Sequence, residues 1–143
     1  MRASSLCGIL ISAGLLLGCA DPKEPTKQFR SVVVDIQSEE NVGKFAQSIR
    51  AHAQRTGALY VDSSEENQKN WDRLRPGNSE RVISMAVFQK DDLKVAAGNL
   101  GRENFKPRVS FYYRTNLPEH EREAEQLLSD LRASWSVQDI REE

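Results

Sequence analysis

Catalysis in this 143-residue chain would have to be drawn from a thin inventory: two cysteines, Cys7 and Cys19, two histidines, His52 and His120, and scattered carboxylates. A zinc site needs thiolates or imidazoles converging from short, regular spacings. His52 and His120 are 68 positions apart and have no such partners, so both read as surface residues and no metal is expected. The acidic pairs Glu39-Glu40, Glu65-Glu66 and Asp91-Asp92 are the remaining acid–base candidates. Each falls where a helix would start or a chain would turn, and local structure already accounts for them. A nucleophilic serine on a Gly-x-Ser-x-Gly elbow is absent. The stretch Ala96-Ala97-Gly98-Asn99-Leu100-Gly101 matches neither phosphate-binding glycine fingerprint and reads as a strand ending in a turn. The expectation is a protein without enzymatic activity or cofactor, with a carboxylate-dependent periplasmic hydrolase as the rival reading.

Residues suited to binding are easier to name. Arg108, Tyr112 and Arg114 alternate along one apolar segment, and Phe88 falls on the corresponding face of another. Arginine and aromatic side chains are the types enriched at binding hot spots. Trp71, alone in a polar stretch, either closes over a core or anchors a partner.

The N-terminus carries its own chemistry. After Arg2, the run from Leu6 to Leu17 holds no charge and is too short to span ~30 Å of hydrocarbon, which takes about 20 residues. A charged start, a short apolar stretch and small residues at its end form an export signal. The residues Leu16-Leu17-Gly18-Cys19 resemble the lipobox of bacterial lipoproteins. That resemblance implies cleavage after residue 18, lipidation (palmitate among the acyl chains) of Cys19 and a membrane partner held through those chains. Ala20, where aspartate would resemble an inner-membrane retention signal, points to the outer membrane, periplasmic face. With Cys7 in the signal and Cys19 lipidated, no thiol remains for a disulfide. An envelope protein is the expected partner, and an immunity-type lipoprotein that neutralises a periplasmic toxin is the alternative.

Charge is balanced, with 20 basic and 21 acidic residues, which excludes the concentrated basic surface that nucleic acid requires. The chain divides into a signal over 1–18, the lipidated cysteine and a Pro-containing tether over 19–28, and one globular domain over 29–143, a usual domain size. Extended at ~3.3 Å per residue, the tether reaches about 30 Å.

Hydrophobic periodicity supplies the elements that must position the candidates. Strands are expected over 31–36, 58–62, 81–88, 93–97 and 108–114, with an edge strand over 136–140. A first helix runs from a Ser38 cap to Gly57 with Val42, Phe45, Ile49 and Ala53 on its apolar face, which leaves His52 on the polar side. A short helix through Trp71 and Leu74 is capped by Ser63 with Glu66. The last helix opens with Asn116, Pro118 and Glu119 and buries a stripe of Ala124, Leu127, Leu128, Leu131 and Trp135. Together these predict an α+β two-layer sandwich: a mainly antiparallel sheet of four to six strands with two long helices on one face, by analogy ferredoxin-like. The other face would then carry Phe88, Arg108, Tyr112 and Arg114.

Overall fold

The computed structural model describes residues 27–100, 103–115 and 117–141. Its elements in chain order are β1 (Lys27–Asp35), a 3₁₀ turn (Glu39–Asn41), α1 (Val42–Thr56), β2 (Leu59–Asp62), α2 (Ser64–Leu74), β3 (Ser84–Gln89), β4 (Asp92–Gly98), β5 (Arg108–Tyr113), α3 (Pro118–Arg132) and β6 (Ser136–Asp139). One sheet has the order β2-β3-β4-β5-β1-β6 with every pair antiparallel. The first strand lies beside the last, and two helices connect the ends to a central meander. That is a ferredoxin-like order extended by a hairpin.

Strand alternation and helical spacing converge on one core. Val32, Val34, Met85, Val87, Val95, Ala97, Val109 and Phe111 point from the sheet into a layer made by α1 and α3. From α1 come Phe45, Ile49 and Ala53; from α3 come Ala124, Leu127, Leu128 and Leu131. Burial of each large side chain contributes about 1.5–3 kcal/mol. Trp135, just beyond α3, meets Phe45 edge-on at 6.0 Å and closes the layer.

Local chemistry departs from expectation at several ends. Ser38 and Ser63 make no side-chain cap bond. Ser38 leads into the 3₁₀ turn, where the Asn41 side-chain amide donates instead to the Ile36 carbonyl at 2.8 Å. Before α2, Asp62 takes the capping role by accepting the Ser64 N–H at 2.9 Å. Asn116 lies outside the described residues, while Pro118 begins α3 where its missing N–H costs nothing. Gly57 ends α1 at φ 67, the left-handed conformation glycine adopts freely. Lys27 and Gln28, expected in the tether, belong to β1 because they pair with Tyr113 and Tyr112.

The expected strand over 81–88 begins three residues late. The N–H groups of Arg81, Val82 and Ile83 donate to side-chain carbonyls of Asn104 (3.0 Å), Gln68 (2.7 Å) and Asn99 (2.8 Å). Side chains satisfy three successive donors, so this segment needs no neighbouring strand. Lys90 and Asp91, both at positive φ, close the two-residue β3–β4 hairpin.

Candidate functional site

Both long helices cover the same side of the sheet, so the residues alternating with the core strands form an open face. Register places that face in rows running across the strands. The central row is Val61, Ala86, Ala96, Ser110 and Ser31, each opposite the next. On one side lies the row Ser84, Gly98, Arg108, Val33 and Gln138. On the other, Phe88 stands between Leu59 and Leu93, and Tyr112 pairs with Gln28 further along. The face is a shallow valley whose middle is lined by the small side chains Ala86, Ala96, Ser110 and Ser31, with Ser84 and Gly98 beside them.

The candidate residues therefore divide between the two ends of this face. Phe88, Tyr112 and Arg114 lie at the hairpin end, where Leu59 is 64% exposed and extends the apolar row. Tyr112 donates its hydroxyl to Gln28 Oε1 at 3.3 Å. Arg114 forms an ion pair with Asp92. β1 begins at this end, with Lys27 opposite Tyr113.

Arg108 lies at the opposite end. Its guanidinium borders a groove of about 220 Å³ whose floor is Ser84, Ala96, Gly98 and Ser110 and whose far rim includes Leu100. Arg108 Nε is buried and has no hydrogen-bond partner. Trp71 stands near this end and away from Tyr112. Its ring lines a narrow cleft with Val82, Asn99 and Leu100, its Nε1 donates to Glu80 at 2.9 Å, and Arg75 lies 4.5 Å from the ring centre. Those contacts tie Trp71 to the packing of α2 on the 81–83 segment.

The valley floor is polar where β1 and β5 meet. Ser31 and Ser110 are buried and their hydroxyl oxygens are 2.8 Å apart, each satisfying the other. Neither serine stood out among the candidate residues. The signal was their place at alternating positions opposite each other, which becomes visible only once β1 and β5 are paired.

On the helix side the structure corrects the reading of His52. It is 4% exposed, turned inward from α1, and its Nδ1 has no hydrogen-bond partner. Position 52 falls next to Ala53 and three residues after Ile49, so it shares the edge of their stripe. Burial and the neighbouring Arg55 push the imidazole down to about 4, opposed by Asp130. His52 lines a small cavity with Lys94, His120 and Glu123. That cavity measures about 20 Å³, room for one water. His120 is half-buried and stacks on Tyr113 at 5.6 Å. Among the described residues no three His, Cys, Asp or Glu side chains are grouped to hold a metal ion.

No protein-family model, curated protein or solved structure matches this chain.

Proposed function

We propose that this protein is a lipid-anchored component of the bacterial cell envelope, attached through Cys19 and facing the periplasm from the outer membrane. Its domain acts as a non-enzymatic binding module that receives an envelope protein on the open face of its sheet. The observation that carries the reading is Leu16-Leu17-Gly18-Cys19 at the end of a short uncharged run. Three acyl chains, at about 0.8 kcal/mol per buried methylene, would hold the protein far more firmly than a single myristoyl chain.

No helix among the described residues is long and apolar enough to cross a membrane. One feature of the domain supports a binding role. The open face offers an arginine and aromatic rim beside exposed Leu59, the composition that suits protein contact. Because β1 starts at the hairpin end, that end of the face stands nearest the tether, whose span from Cys19 to Lys27 reaches about 26 Å at full extension.

The test is replacement of Cys19 by serine in the full chain. Palmitate labelling should vanish, the precursor should remain uncut and the processed membrane form should disappear. A Cys19→Ser protein that still labels with palmitate would refute the anchor.

A further inference from the structure

Four arginines among the described residues are half-buried: Arg30, Arg81, Arg108 and Arg114. Three have carboxylate partners, with Arg30 on Glu125, Arg81 on Glu39 at 3.1 Å and Arg114 on Asp92. Arg108 has none among the described residues, and its Nε, like those of Arg81 and Arg114, is buried without a hydrogen-bond partner. A guanidinium taken partly out of water without a counter-charge is costly, and an anion placed against it recovers that cost.

We propose that the groove beside Arg108 receives the C-terminal carboxylate of a peptide whose last side chains are small. The inference rests on the binding-module reading and identifies what that module grips. Among the described residues that line the groove the single cation is Arg108, which matches one negative charge better than the near-double charge of a phosphate monoester. Its floor of Ala96, Gly98 and two serines admits small side chains, and Leu100, 49% exposed, supplies an apolar rim. At about 220 Å³ the space lies below the ~300 Å³ where drug-sized sites begin, so it takes an end and not a long segment. β3, β4 and β5 are paired along their length, so a guest cannot join them as an additional strand in this groove. Its charge must be met by a side chain, and among the described lining residues Arg108 is the one that can meet it. The floor is also closed to growth: a Cβ on Gly98 would come within 3.0 Å of the Ile83 carbonyl oxygen.

The experiment titrates the full-length lipidated protein in detergent with acetyl-Ala-Ala-Ala as the free acid and, separately, as its C-terminal amide, following the backbone amide resonances of Gly98 and Ser110. The free acid should give saturable shifts at millimolar concentration, and the amide should bind at least about tenfold more weakly. Arg108→Gln, which removes the charge, and Ala96→Leu, which fills the floor, should each abolish the shifts while Arg132→Ala, on the exposed side of α3, preserves them. Two variants reach the groove by separate routes, so a folding defect in one leaves the other decisive. Equal binding of acid and amide, no saturable shift, or binding that survives Arg108→Gln would overturn the proposal. Inorganic phosphate binding more tightly than the peptide would also overturn it, leaving a simple anion site. The anchor fails on a different reading, palmitate labelling at Cys19, which these titrations do not touch.

Discussion

Asn99 bonds Ile83 twice: its backbone N–H donates to the Ile83 carbonyl at 3.2 Å, and its side-chain carbonyl oxygen accepts the Ile83 N–H at 2.8 Å. The same side chain donates to the Arg81 carbonyl at 2.6 Å. One buried asparagine thereby substitutes for a missing strand at the end of β3 and sets the edge of the Arg108 groove. Asn99→Ala would leave the Ile83 N–H without an acceptor, at a cost of about 1–3 kcal/mol. Asn104→Ala, which frees the solvent-side Arg81 N–H, should cost less because water can replace the lost acceptor. Denaturant unfolding of the two variants checks the order; equal losses would mean that Asn99 is no clasp.

Elements whose apolar residues repeat at a fixed period were legible before the structure was known. The stripe ending in Leu131, the alternation through Met85 and Val87, and the glycine stop at Gly57 each carry their geometry in local spacing. What escaped depends on distant partners. Asn99 looked like a turn residue because its side-chain partners lie 16 and 18 positions earlier. His52 read as polar-facing because it falls outside the stripe of Val42, Phe45, Ile49 and Ala53, yet it occupies a flank of that same stripe. The open face was foreseeable from alternation, whereas its division into an aromatic end and an arginine end required the strand register.

Leu131 and Arg132 separate the two sides of α3. Leu131 is fully buried, and truncation to alanine should cost about 2–5 kcal/mol of a domain stability of roughly 5–15 kcal/mol. Arg132 is exposed and lies 3.7 Å from Glu125 and from Asp139, so Arg132→Ala should cost no more than about 1 kcal/mol. Thermal melts of the two variants should differ plainly, and matching melts would contradict the helix-face assignment.

His52 predicts a dependence on pH. Its imidazole is depressed to about 4 in the folded protein from an ordinary 6.5, because burial disfavours the charged form and Arg55 repels it. The unfolded chain therefore binds the proton first as pH falls. Stability is full above about pH 6.5 and declines down to about pH 4. At roughly 1.4 kcal/mol per pH unit the whole effect is on the order of 3 kcal/mol. His52→Leu should flatten the slope of unfolding free energy across that window. A variant with the slope of the original would assign acid sensitivity to other groups.

Tyr112 and Arg114 test where an envelope partner rests. Both lie at the end of the sheet nearest the tether and are part-exposed, Tyr112 with a hydroxyl bond to Gln28 and Arg114 with an ion pair to Asp92. Each presents an aromatic ring or a guanidinium that can contribute to recognition. Hot-spot side chains of these types are worth about 2 kcal/mol or more, so removing two should weaken capture well beyond tenfold. The double substitution Tyr112→Ala with Arg114→Ala, made in the full lipidated chain, should shift the melting temperature by only a few degrees, as expected for a loss near 1 kcal/mol. In-membrane crosslinking from a photoreactive group at Leu59 should meanwhile lose the partner band seen with the unaltered chain. Crosslinking at unchanged strength would remove this end of the sheet from the interface. A large fall in melting temperature would show instead that Tyr112 and Arg114 belong to the fold.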